Sequence, residues 1–253
     1  MIARPSLRDA QLETGLGRAS PLTKLAVAVV WLLGLAFTTR HGPPLFIAVI
    51  ALGSGVVLGR IPVRSLVRAI LPLWAVAAVV VISNILFGAA NNDPGASEVI
   101  RIGPLRVTAE AVATATALGL RVVAIASVGA VFALTTDSTR LADSLVQQAA
   151  LSPRFAYGAL AAYQAVPRFG EDLTTLQAAR RLRGLRGGWH PRLLVGLLVL
   201  AIRHGDRVAL AMDARAFGSG PRTRYREVRW GIVDVEIGLA ATVVLALALA
   251  LGA

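Results

Sequence analysis

The chain has 253 residues, of which 56% are apolar and 16% charged, with a mean hydropathy of +0.68. So little polar surface excludes a disordered chain and argues against an ordinary water-soluble domain. The net charge is +12, carried by one lysine, Lys24, and by arginines, and the absence of cysteine excludes disulfides, thiolate metal centres and cysteine nucleophiles.

The first twenty-four residues, with Arg4, Arg8, Asp9, Glu13 and Arg18, hold no apolar run ending at a small-residue cleavage site. They read as a polar lead-in to a first membrane helix. A helix crosses the hydrocarbon core in about 20 residues, and shorter runs span when their ends snorkel. Five spans are predicted on that scale: Leu22 to Thr39, Pro44 to Gly59, Leu71 to Ala90, Glu110 to Thr136 and Gly231 to Leu251. Gly55 and Gly59 have the small-x-x-x-small spacing of close helix packing.

Basic residues orient the spans. Arg4, Arg8, Arg18 and Lys24 precede the first, and Arg60, Arg64 and Arg68 fill the link between the second and third, so both segments read as cytoplasmic. The turn at Arg40 to Pro43 and the loop from Asn91 to Thr108 fall outside, and the C-terminus is placed outside with them. The chain thus divides into a four-span membrane domain (1–136), a cytoplasmic helical region (137–230) and a final transmembrane helix (231–253). The expected location is the cytoplasmic membrane, with multiple passes.

The cytoplasmic region is distinctive because residues 137–229 hold fifteen arginines against seven acids. Three helices are predicted there, over about Ser138 to Ala150, Pro153 to Leu182 and Pro191 to Phe217, punctuated by Pro153, Gly187-Gly188 and Gly218 to Pro221. At 100° per residue, Leu198, Ile202, Gly205, Val208, Ala209 and Met212 of the third share one arc, from which Arg203, Asp206, Arg207 and Asp213 are absent. That helix is amphipathic, and its apolar run from Leu193 to Ile202 is too short to cross a bilayer.

Two arginine clusters end the second and third of these helices: Ala179-Arg180-Arg181-Leu182-Arg183-Gly184 and Ala211-Met212-Asp213-Ala214-Arg215-Ala216-Phe217-Gly218. One reading places cations at the negative end of the helix dipole and against anionic lipid. The other makes them guanidinium forks presented to acidic grooves on a soluble partner. Each helix stops at or near glycine, Gly184 in the first and Gly218 in the second, which suits a C-cap.

No arrangement for catalysis accompanies them. His41, His190 and His204 lack metal-ligand spacing, and Lys24 in Thr23-Lys24-Leu25 is not a Walker A lysine. An intramembrane hydrolase needs paired carboxylates or histidines within the spans, whereas Glu110, Asp137, Asp234 and Glu236 stand only at span edges. A nucleic-acid binder needs aromatics interleaved with arginine, whereas Tyr157, Tyr163 and Phe169 sit among apolar helix residues. Arg121, near mid-span, is costly unless it pairs within the bundle or reaches a wet end; contact with substrate is the alternative.

The two arginine motifs resemble the Ala-Arg-Gly-like motifs of the transmembrane T component of energy-coupling factor (ECF) transporters. Ser20-Pro21-Leu22-Thr23-Lys24-Leu25 is similar to the family's Asp-Pro-Arg-Thr-Lys-Leu, and Leu120-Arg121, Thr135-Thr136-Asp137-Ser138 and Val166-Pro167 resemble further family patterns in the same order. The departures are Leu182 and Ala216 within the motifs and Ser138 in place of proline. The resemblance covers about residues 19 to 250. It implies an all-α polytopic subunit of a vitamin or metal-ion importer, without catalytic residues, metal or cofactor of its own. Two ABC-type ATPase subunits, which bind ATP and Mg, would dock on Arg183 and Arg215 with Gly184, Ala214, Arg180 and Arg181 around them. A small substrate-capture membrane protein (S component) would pack on Ile202, Gly205, Ala209 and Met212. Arg121 would be structural, lipid the remaining partner, and nucleic acid none.

Overall fold

The computed structural model describes residues 14–38, 40–92, 95–102, 105–185, 189–218, 220 and 226–252. Arg4 and Arg8, Thr39, Gly187-Gly188 and Pro221 lie outside the described residues. The chain forms two compact units, residues 1–137 with 229–253, and residues 138–228.

The first unit holds a short helix α1 (Gly15–Arg18), then α2 (Pro21–Ala36), α3 (Gly42–Val57), α4 (Val63–Phe87), α5 (Ala109–Thr135) and α9 (Ile232–Gly252). Helices α4, α5 and α9 are long and apolar enough to cross a bilayer, while α2 and α3 have sixteen residues each. At 1.5 Å per residue these two reach about 24 Å, short of the roughly 30 Å core. Helix α4 starts eight residues before the expected Leu71, so Arg64 and Arg68 lie on its first turns and not in a link. Its 25 residues extend about 37 Å, which places Arg64 beyond a core of roughly 30 Å and Arg68 at its edge, where its side chain can snorkel.

Helix α5 is the centre of this unit, packing on α2, α3 and α4. Ala115, Ala117, Gly119, Ala124 and Ala126 are buried along it, and small side chains let backbones approach closely. A Cβ on Gly119 would collide with Val81 of α4, and one on Gly55 would lie 2.8 Å from Val131 of α5. Trp31, Leu35, Ile47, Ala124, Val128 and Ala241 form the main core across α2, α3, α5 and α9, and Trp31 Nε1 donates to the Ala241 carbonyl at 3.0 Å.

Polar contacts sort the helix ends into two sets. On one side Lys24 Nζ donates to the Thr135 carbonyl (2.7 Å), joining the start of α2 to the end of α5. The Asp234 carboxylate accepts from Ser20 N–H (2.6 Å) and Gly231 N–H (2.8 Å), which closes the N-termini of α2 and α9 with one side chain. At the opposite end of α2, His41 Nε2 lies 2.8 Å from both the Ala113 carbonyl and Thr116 Oγ1. There the expected loop contains an antiparallel hairpin, β1 (Glu98–Ile102) and β2 (Leu105–Thr108). Strands of only five and four residues left it unmarked in the sequence. It is held by Asn91 Oδ1, which accepts from Thr108 N–H at 3.0 Å.

The second unit is α6 (Ser138–Gln147), α7 (Pro153–Leu182) and α8 (Pro191–Ala214). Helix α6 stops before the expected Ala150, which takes a left-handed φ of 53°. Helices α7 and α8 pack antiparallel: Gly196 faces Leu176 near one end, and Gly218 faces Arg154 near the other.

Candidate docking site at two arginine caps

Both arginine motifs take the same local form. Helix α7 ends at a C-cap, Arg183 (φ −83°, ψ 11°), and α8 ends at Arg215 (φ −93°, ψ 13°). The residue after each is left-handed, Gly184 at φ +74° and Ala216 at φ +51°. Gly184 N–H donates to the Arg181 carbonyl (3.0 Å) and Leu185 N–H to that of Arg180 (3.3 Å). Ala216 N–H donates to the Asp213 carbonyl (2.8 Å) and Phe217 N–H to that of Met212 (2.9 Å). Each is a Schellman closure. The expectation that Gly218 caps α8 is therefore corrected: Ala216 does so despite its Cβ, because the two closing hydrogen bonds offset a left-handed penalty of about 1–2 kcal/mol.

The guanidinium-bearing residues Arg181, Arg183 and Arg215 are exposed, as are Gly184 and Ala214, and Leu182 beside them is 90% exposed. Arg180 is half-buried, and its buried Nε has no hydrogen-bond partner among the described residues.

The caps are brought to opposite ends of the α7–α8 pair. Phe217, next to the second cap, packs edge-on against Tyr157 near the start of α7, with ring centroids 5.9 Å apart. Between Tyr157 and Arg183, α7 runs about 40 Å. The aromatic contact was not read from the sequence, where Tyr157 looks like any apolar-face residue. Its hydroxyl donates to Oδ1 of buried Asp143 at 2.6 Å, tying α7 to α6. Burial, then this carboxylate, push the Tyr157 hydroxyl up to about 12. Gln147 also anchors the chain beyond α8, donating to the Arg226 carbonyl (2.8 Å) and accepting from Val228 N–H (3.0 Å).

Along α8, Ile202, Gly205 and Ala209 are exposed and Met212 is half-buried. A Cβ on Gly205 would meet nothing within 4 Å among the described residues. Leu194, Val195 and Leu198 continue the exposed apolar surface. Arg121 belongs to the other unit, where its Nη2 donates to the Thr38 carbonyl just past the end of α2.

Apolar helices far richer in exposed side chains than any water-soluble core, joined to a basic helical module, define a polytopic membrane protein. The model of the cobalt transport protein family, CbiQ, matches residues 14–225. Among similar proteins are the energy-coupling factor transporter transmembrane protein EcfT of Heliobacterium modesticaldum, 27% identical over 91% of each chain, and that of Thermanaerovibrio acidaminovorans, 28% identical over 87% of this chain and 86% of the relative. The EcfT of Limosilactobacillus fermentum is 25% identical over 92% of this chain and 91% of its own length. The chain belongs to this family, the transmembrane T components of ECF transporters.

Proposed function

We propose that this chain couples two ABC-type ATPase subunits, docked on Arg183 and Arg215, to a separate substrate-capture membrane protein for uptake of a vitamin or metal ion. The observation that carries this reading is the pair of matched caps: two exposed arginines with the same backbone geometry, about 40 Å apart on one antiparallel helix pair. A guanidinium fork paired with a carboxylate contributes about 1.5 to 3 kcal/mol. Two such contacts at the ends of stiff helices turn relative movement of two partners into rigid-body movement of the pair. The exposed face from Ile202 to Met212 is the matching surface for the capture protein, and ATP and Mg belong to the ATPases. Net positive flanks favour a cytoplasmic N-terminus and an outer C-terminus.

Pull-down of co-expressed ATPase subunits tests the docking. Arg183→Ala with Arg215→Ala is expected to release both, and Arg→Lys at the same positions to weaken capture, because lysine keeps the charge and loses the fork. Retention of the ATPases by the double alanine variant refutes the assignment.

A further inference from the structure

A partly open cavity of about 230 Å³ lies inside the membrane unit, between α2, α3, α5 and α9. Its walls include Ala28, Trp31, Ala51, Val128 and Ala241, and its polar groups are used internally. Lys24 Nζ donates to the Thr135 carbonyl, Ser54 Oγ to that of Ala51, Thr135 Oγ1 to that of Val131, and Trp31 Nε1 to that of Ala241. A water needs two to four polar partners, whereas an apolar void of about 150 Å³ already holds benzene. The contents that fit are therefore hydrocarbon.

Two features say which hydrocarbon. Ala240 both lines the cavity and is exposed on α9, so the opening is on the surface of a membrane-crossing helix. At the Lys24 end, Leu16 and Leu58 line the cavity and are joined by a backbone hydrogen bond (Leu16 N–H to Leu58 carbonyl, 3.4 Å). Exposed Arg18 and Arg60 each follow one of these leucines by two residues. An apolar slot that ends at two leucines, each followed two residues later by an exposed arginine, complements a fatty chain under an anionic headgroup. We infer that this cavity binds one acyl chain of an anionic phospholipid, with the phosphate held by Arg18 and Arg60.

Trp31 is a built-in reporter, since it lines the cavity and is only 7% exposed. The full chain with Trp74→Phe, Trp189→Phe and Trp230→Phe retains Trp31 alone. A second variant, in which Trp31, Trp189 and Trp230 are phenylalanine, keeps the 60% exposed Trp74 as the lipid-facing reference. Both are reconstituted in vesicles of phosphatidylglycerol or phosphatidylcholine with brominated acyl chains. Trp31 emission is expected to fall as far as that of Trp74 in phosphatidylglycerol and several-fold less in phosphatidylcholine. Ala240→Phe should remove the Trp31 loss without altering Trp74, and Arg18→Gln with Arg60→Gln should equalise the two lipids. Unquenched Trp31 beside quenched Trp74 overturns the proposal. Equal quenching of Trp31 by the two lipids, before any arginine is changed, overturns it as well.

Discussion

At the scale of single residues, two buried carboxylates hold more than their sequence positions suggest. Asp234, 4% exposed, closes the N-termini of two helices although it lies 214 residues from Ser20 in the chain. Its replacement by alanine leaves both N–H groups unpaired, and charge-assisted bonds of this kind contribute about 1.5–3 kcal/mol each. Asp234→Ala is expected to lower stability by about 3 kcal/mol, read as a fall in thermal midpoint of the detergent-purified chain. Asp143 makes its contact through Tyr157. Because burial and that carboxylate raise the tyrosine to about 12 from an ordinary 10, the neutral hydroxyl is the form the fold favours. The resulting stabilisation is fully present below pH 10 and is lost as pH rises toward 12. Tyrosinate absorbance should show one late-titrating group, and Tyr157→Phe should remove it. The sequence marked Asp234 only as an acid at a span entrance and Tyr157 only as an aromatic among apolar residues. Neither partner lies nearby in the chain, so local pattern had no means of pairing them.

At the scale of elements, helix existence and type were legible and helix ends less so. Apolar runs of membrane length define α4, α5 and α9 because every backbone polar group in lipid must be satisfied within the helix. The bounds of α7, Pro153 to Leu182, followed from proline at its start and the arginine-glycine stop at its end. The end of α8 did not, since alanine in a left-handed conformation has no sequence signature. The two caps give opposite expectations. Gly184→Ala puts a Cβ at φ +74° and should cost about 1 kcal/mol, whereas Ala216→Gly removes the strain at φ +51° and should add a similar amount. Amide hydrogen exchange in the last turns of α7 and α8 reads both, slower in the second variant and faster in the first.

At the scale of the whole molecule, the proposed orientation makes the arginine caps and the hairpin face opposite compartments. The chain has no cysteine, so single introduced thiols report alone. Leu182→Cys, at a 90% exposed position, is expected to react with a membrane-impermeant maleimide only after inside-out exposure, and Val99→Cys, in the hairpin, in right-side-out vesicles. The reverse pattern inverts the topology.

Composition and periodicity determined by themselves that this is an all-α membrane protein with a basic helical region, because a bilayer and a helix each impose one repeat length on the chain. The family motifs marked which arginines to single out. Only the tertiary structure decided that Arg183 and Arg215 share one cap geometry at opposite ends of an antiparallel pair, that Asp234 joins the first and last membrane helices, and that four helices enclose an apolar cavity. Such arrangements depend on side chains brought together from distant positions, and distance along the chain carries no information about them.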